Sequence, residues 1–239
     1  MRSLNLLAAA LCIGLTAVGV SPQLGRGSNT SLGPANGGGS FSIATEAESK
    51  TIPPAATLRY QLDASQSKFI AHALAGGLLW FKGHDHLVAV REFTGEAQLT
   101  PTSITPASLE ITAKTESMVE TSSVFTEQQK QIIDRELREI VIEPAKYPEI
   151  VFRSTTVTGR ATGGNQYDLK ITGDLTLHGV TRQITIPTQV TVTGNELRAR
   201  GEFSIDRSDF KVKATSAIHG LIRVRNKVKF TFDIVGHQL

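Results

Sequence analysis

Hydrophobic and polar residues alternate over much of the second half of the chain. Alternate side chains of a β-strand point to opposite faces, so this period of two predicts strands with one apolar and one polar face. The apolar positions of four such runs are Leu169, Ile171, Leu175 and Leu177; Ile184, Ile186, Val190 and Val192; Leu197, Ala199, Phe203 and Ile205; and Val228, Phe230, Phe232 and Ile234. One dry face and one wet face are typical of an antiparallel sheet.

Short turn sequences separate these runs. Gly163-Gly164-Asn165, His178-Gly179 and Gly194-Asn195 supply residues that tolerate the left-handed backbone of tight hairpins. Less regular strands are predicted at 68–74, 87–100, 108–116 and 149–158. The predicted fold is therefore all-β with about eight antiparallel strands, which lose their exposed edges by closing into a barrel.

One segment, about 126–142, predicts a single amphipathic helix. Thr126 and Gln129 form a capping-box pattern, and Pro144 ends the run. The apolar positions at helical spacing are Ile133, Leu137, Ile140 and Val141. We expect this helix to cover one end of the barrel, because an apolar helical stripe normally faces the core. A mobile gate for ligand entry is the alternative.

The N-terminus predicts a secretory signal peptide over residues 1–21. Arg2 precedes an uncharged, Leu- and Ala-rich stretch from Leu4 to Val20, and small residues follow at a plausible cleavage site. The protein is therefore expected to be exported, either to the periplasm or as a secreted protein. A retained membrane anchor is the main alternative, although the stretch is shorter than the roughly 20 residues that span a bilayer.

Residues 22–56 predict a flexible linker. Of these 35 residues, 20 are Gly, Ser, Thr, Asn or Pro, and such a segment buries too little apolar surface to offset the entropy of ordering it. The remaining residues, 57–239, are expected to form one domain with its own hydrophobic core.

Composition removes several classes of function. A net charge of +3 gives no dense cationic field for a phosphate backbone, which argues against nucleic-acid binding. Cys12 is the only cysteine, so neither an intrachain disulfide nor a Cys-x-x-Cys zinc site can form. Motifs for a nucleophile elbow, a zinc protease helix and phosphate-binding loops are all absent from the sequence. We therefore expect no enzymatic activity.

Six sequence stretches in register resemble the YceI-like family. They are Tyr60-Gln61-Leu62-Asp63 with Ser67-Lys68-Phe69, Gly76 to Phe81, Gly83-His84-Asp85-His86 with Phe93-Thr94-Gly95, Tyr147-Pro148 with Phe152 to Thr155, Gly173 to Arg182, and Phe203 to Phe210. The resemblance covers residues 57–239. It implies an exported, lipocalin-like barrel associated with polyisoprenoid binding.

The apolar face then predicts a lumen that binds an apolar chain, because burying such a chain stabilises it by about 25 cal/mol per Å² removed from water. The expected ligand is an isoprenoid or a quinone-like lipid, and no other cofactor is expected. The candidate lining residues are Phe69, Trp80, Phe93, Phe152, Leu175, Leu177, Phe203, Phe230 and Phe232. A barrel filled by its own side chains, acting through its outer surface, is the alternative.

Histidines define a second hypothesis, a metal- or haem-binding module. His84 and His86 would point to one face of a strand and could share an ion, with His178 and His219 at probable turns as further ligands. No third ligand is fixed by spacing, and Gly83-His84-Asp85-His86 could itself be a turn. Hydrogen-bonded histidines that shape loops are the alternative reading.

The C-terminal part of the chain is basic and could contact an anionic membrane surface. Its cations are Arg198, Arg200, Arg207, Lys211, Lys213, Arg223, Arg225, Lys227 and Lys229. A solvated polar face accounts for the same pattern, because single basic residues are common on the wet side of strands. The sequence leaves the oligomeric state open.

Overall fold

A computed structural model of the chain describes residues 56–101, 103–217 and 221–239. The predicted signal peptide and all of the predicted linker except Ala56 lie outside the described residues. The strands are β1 (Leu58–Gly76), β2 (His86–Val90), β3 (Phe93–Thr100), β4 (Ile104–Lys114), β5 (Met118–Glu120), β6 (Glu149–Gly163), β7 (Gln166–Leu177), β8 (Val180–Thr193), β9 (Glu196–Asp206), β10 (Ser216–Ala217) and β11 (Ile222–Gln238). Among the described residues, one α-helix, α1, spans Glu127–Glu136 and continues into a π-helical turn at Leu137–Val141.

Eight of these strands close into an antiparallel barrel. Their order is β1-β3-β4-β6-β7-β8-β9-β11, and β11 pairs back onto β1. The short strands β2, β5 and β10 extend one end of the barrel, where β2 pairs with β1, β5 with β2, and β10 with β11. The predicted all-β, eight-stranded closed barrel with one helix is confirmed.

Strand β7 shows how the sequence pattern produces the barrel wall. Tyr167, Leu169, Ile171, Leu175 and Leu177 are all buried, as is Gly173 on the same face, and the residues that alternate with them are exposed or half-buried. Each dry side chain points into the barrel and each wet one into solvent, as the period of two predicts. The two residues of the β7–β8 hairpin turn, His178 and Gly179, have φ values of 52° and 73°. Two positive φ values in succession are the signature of a tight hairpin turn.

Helix α1 begins where the capping box predicts. The N–H of Gln129 donates to Thr126 Oγ1 at 3.3 Å, and the N–H of Thr126 donates to Gln129 Oε1 at 2.8 Å. The prediction that Ile140 faces the core is wrong, since Ile140 is 40% exposed. A bond of 2.8 Å from the Ile142 N–H to the Leu137 carbonyl closes the π-helical turn. Such a turn holds one more residue than an α-helical turn, so Ile140 lies outward and Ile142 is buried.

Within the described ranges, no helix is both long enough and apolar enough to cross a membrane.

Candidate functional site: a two-chambered lumen

The barrel encloses an inner chamber of about 130 Å³ at the end away from helix α1. Side chains from the dry faces of the strands line it, among them Leu62, Leu99, Ile111, Leu169 and Leu197. Its polar lining residues, Gln98, Ser108 and Thr188, carry no charge. The inner chamber therefore offers a ligand almost only hydrocarbon surface.

An outer chamber of about 320 Å³ lies beneath helix α1. Its wall combines apolar strand residues such as Val88 and Ile205 with Ile133 and Leu137 from the helical segment. Charged side chains collect around it, namely Lys82, Glu136, Arg207, Lys213 and Arg223. The lumen thus changes from apolar in the inner chamber to charged at the mouth.

Four side chains border both chambers: Phe69, Ile150, Leu175 and Phe203. Two of them belong to an aromatic cluster, in which Phe203 stacks on Phe230 with ring centroids 5.0 Å apart and Phe69 stacks on Phe230 at 5.9 Å. The pairing of β9, β11 and β1 sets these contacts, because Phe203 lies opposite Phe230 and Phe232 opposite Phe69. The two chambers are therefore in series, separated by a constriction of large apolar side chains.

Eight of the nine predicted lining residues border the lumen. Phe93, Phe152 and Phe232 line the inner chamber, Leu177 and Phe230 line the outer chamber, and Phe69, Leu175 and Phe203 line both. Their contact with a ligand stays a prediction.

The placement of Trp80 in the lining is wrong. Trp80 is 55% exposed and borders neither chamber. It lies on the 3-10 turn Trp80–Lys82, after β1 has ended at Gly76. The alternation of strand side chains consequently does not orient it inward.

His84 and His86 converge on one aromatic ring at the mouth. The ring of Phe125 stacks on His86 at 5.1 Å and meets His84 edge-on at 5.6 Å. All three residues line the outer chamber. The carboxylate of Asp85 lies against the barrel wall instead, where its Oδ1 accepts a bond of 2.8 Å from the Ala75 N–H.

Glu120 anchors this corner of the mouth. Its side chain is fully buried, and His86 Nδ1 lies 2.9 Å from its Oε2, while Oε1 accepts from the N–H groups of Leu87 and Ser122 at 3.1 and 2.8 Å. Burial alone would raise the pKa of the Glu120 carboxyl, but these hydrogen bonds together outweigh burial and lower that pKa below its usual value. The Glu120 N–H also donates to Asp134 Oδ1 at 3.0 Å, which ties helix α1 to the wall.

His178 contacts other residues. Its Nε2 lies 2.8 Å from Glu143 Oε2, and its ring packs on Tyr147 with centroids 4.0 Å apart. The bond from His178 lowers the pKa of the Glu143 carboxyl. His219 lies outside the described residues. In the part of the chain that the structure describes, no three His, Cys, Asp or Glu side chains are grouped to hold a metal ion, and metal or haem binding stays a hypothesis.

Part of the lumen is lined by residues outside the predicted set. Leu169 and Ile171 share the face of Leu175 and could have been found from the same alternation. By contrast, the residues of the mouth come from separate elements. Phe125 and Lys213 lie in loops, whereas Glu136 ends helix α1 and Arg223 lies in β11. Only the closed structure brings them together.

Comparisons with known proteins agree with this fold. The sequence model of the YceI-like domain matches residues 60–236. The chain is similar in structure to BcnA of Burkholderia cenocepacia, with a TM-score of 0.57 and 20% identity over 73% of this chain and 98% of that one. It is also similar to a polyisoprenoid binding domain of Saccharophagus degradans, with a TM-score of 0.51 and 14% identity over 76% of this chain and 99% of that one.

Curated relatives match over shorter stretches. A UPF0312 protein of Vibrio parahaemolyticus is 46% identical over 55 residues, which are 23% of this chain and 27% of the relative. A UPF0312 protein of Pseudomonas savastanoi is 36% identical over 104 residues, which are 40% of this chain and 50% of the relative. The chain thus spans half or less of the length of these relatives. Because the domain model covers most of the chain, and the barrel it implies is the one observed, the protein belongs to the YceI-like family.

Proposed function

We propose that the barrel binds one apolar chain, a polyisoprenoid or another lipid such as a quinone, and carries or stores it without chemical turnover. The observation that carries this proposal is the pair of chambers in series, with a hydrocarbon-lined inner end and a charged mouth. A lipid with a long apolar tail and a polar end matches this arrangement, with the tail in the inner chamber and the polar end at the mouth. Each methylene moved from water into such a lumen contributes about 0.8 kcal/mol.

Two of the three polar residues that line the inner chamber have side-chain hydrogen bonds within the protein. Thr188 Oγ1 donates to the Ile186 carbonyl at 3.3 Å, and Gln98 Nε2 donates to Glu96 Oε1 at 3.1 Å. Both side chains already have partners within the protein, so an unsubstituted hydrocarbon can lie beside them without leaving a buried donor unpaired. This supports a ligand recognised by shape and apolar contact.

The site of action that we propose is outside the cytoplasm. The support is the signal-peptide pattern of residues 1–21. A solved polyisoprenoid binding domain from Saccharophagus degradans supports the proposed class of ligand, because its fold is similar to that of this chain.

The test is organic extraction and mass spectrometry of protein purified from a lipid-replete host. The variant Ala113→Leu adds bulk to the wall of the inner chamber, which Ala113 lines. Its matched control is Ala89→Leu, since Ala89 is 4% exposed but lines neither chamber. Overpacking costs typically about 1–3 kcal/mol at either position, so a comparable loss of stability is expected in both variants.

We expect a stoichiometric apolar lipid in the wild type and in Ala89→Leu, and a depleted or shorter lipid in Ala113→Leu. Wild-type protein without extractable lipid, which also fails to take up added polyprenol, would refute lumen binding. Equal lipid content in both folded variants would place the ligand outside the inner chamber.

A further inference from the structure

Apolar side chains project into solvent at the rim of the barrel beside the mouth. Leu78, Trp80 and Phe81 are 76%, 55% and 60% exposed, and Leu221 next to them is 38% exposed. We call residues 77–82 together with Leu221 the rim loop. Exposed large apolar residues that lie close together mark an interaction surface, whereas scattered ones do not.

The backbone holds the rim loop in this outward arrangement. The Leu79 N–H donates to the Leu221 carbonyl at 3.0 Å, and the 3-10 turn is closed by the Gly83 N–H to Trp80 C=O bond of 3.0 Å. Gly77 has a φ of 89°, and a Cβ there would lie 2.5 Å from the Leu221 carbonyl oxygen. The close approach that displays the apolar side chains therefore requires glycine.

The two segments that carry the rim loop are cationic. The paired segments 74–83 and 221–225 contain Lys82, Arg223 and Arg225 and no Asp or Glu. Arg225 Nε donates to the Ala75 carbonyl at 2.8 Å. The next acidic residue along the chain, Asp85, accepts a bond from the Ala75 N–H.

The rim loop adjoins the opening of the lumen. Lys82 of the rim loop lines the outer chamber, and so do the residues that directly follow its two parts, namely Gly83, Ile222 and Arg223. If a surface contacts the rim loop, an apolar chain that leaves this surface crosses only a short stretch of water before it enters the outer chamber.

We propose that the rim loop docks onto an anionic lipid bilayer, with Leu78, Trp80 and Phe81 in the interfacial layer and Lys82 and Arg223 against the headgroups. Tryptophan is enriched at membrane interfaces, and long basic side chains lie there with their stems in apolar surroundings and their charges in water. A few protruding side chains give far less area than the roughly 800 Å² that each partner buries in a stable protein interface. The combination of a small apolar tip and a basic border fits a bilayer instead.

The chain carries its own probe for this contact, because Trp80 is its only tryptophan. The full-length protein would be titrated with vesicles of phosphatidylcholine and phosphatidylglycerol, and in parallel with vesicles of phosphatidylcholine alone. We expect a blue shift of Trp80 emission with the anionic vesicles and quenching by lipids brominated in the upper acyl chain.

Variants separate the apolar and the electrostatic contributions while Trp80 is kept. The double variant Leu78→Ser/Phe81→Ser should weaken vesicle partitioning by about tenfold or more. Lys82→Gln/Arg223→Gln should lose the preference for phosphatidylglycerol and the dependence on salt. The matched control is Leu239→Ser, because Leu239 is 66% exposed at the opposite end of β1, where its N–H bonds to Arg59.

Unchanged Trp80 emission with anionic vesicles would overturn the proposal. So would equal partitioning of the wild type and the Leu78→Ser/Phe81→Ser variant. A shift of Trp80 emission that depends on protein concentration in the absence of vesicles would also overturn it, because the rim loop would then bind a second copy of the chain. Docking is independent of lumen binding, since Ala113→Leu should keep vesicle binding even where its extractable lipid is lost.

Discussion

Truncation of Leu175 to alanine tests whether the chambers are empty space. Leu175 is 7% exposed and borders both chambers. The substitution removes side-chain carbons from the constriction and merges the chambers into one lumen. The lipid-free protein is the right material, because a bound chain would fill the space and add contacts of its own.

The expected cost is small for a buried leucine. Three carbons at about 0.8 kcal/mol each give a transfer cost of about 2.4 kcal/mol. Leucine-to-alanine changes in densely packed cores cost about 2.7–5.0 kcal/mol, because the new cavity adds to the transfer cost. Leu175 already faces unfilled volume on two sides, so truncating it breaks fewer packing contacts. We therefore expect a loss of about 2–3 kcal/mol in the free energy of unfolding.

Urea unfolding followed by circular dichroism measures this loss, and the midpoint at constant slope reports stability. The matched control is Val235→Ala, because Val235 is 4% exposed and lines neither chamber. The loss in the free energy of unfolding per carbon removed should be larger for Val235→Ala than for Leu175→Ala, at about 0.9–1.7 kcal/mol. A loss of about 4–5 kcal/mol in lipid-free Leu175→Ala at an unchanged slope would show a dense-core site, and the two-chambered lumen would be refuted.

Two further predictions concern the elements that frame the mouth. Thr126→Ala should lower the free energy of unfolding by about 1 kcal/mol, because it removes the acceptor of the helix cap. Thermal unfolding measures this loss. A Thr126→Ser variant that is as unstable as the alanine variant would contradict the prediction. Because the pKa of Glu120 is lowered in the folded protein, its charged form stabilises the fold above its unfolded pKa, and this contribution is lost as the pH falls towards the folded pKa. Glu120→Gln should therefore lower the free energy of unfolding by about 1–3 kcal/mol at neutral pH. Below neutral pH, its stability should fall less steeply than that of the wild type and of an exposed control, Glu127→Gln. Equal slopes of stability against pH in all three proteins would contradict this prediction.

Much of the barrel could be predicted from the sequence because its signals are local. Strand β7 alternates without a break, and the residues between the strands tolerate positive φ at the hairpin turns. The capping box of Thr126 and Gln129 forms as its spacing predicts. Each of these features depends on neighbours within a few residues along the chain, where the backbone geometry alone fixes which way a side chain points.

The mouth and its surroundings depended on closure of the barrel. The sequence gives Trp80 the same apolar character as Phe69, yet Trp80 follows the end of β1 and lies in solvent while Phe69 lies at the constriction. Phe125, His84 and His86 meet only because β2 pairs with β1 and helix α1 packs nearby. The sequence by itself determined the strands, their dry faces and the helix start, since these follow from short-range periodicity. Only the tertiary structure decided which side chains share a chamber and which project at the rim, because those neighbours are brought together by pairings between distant segments.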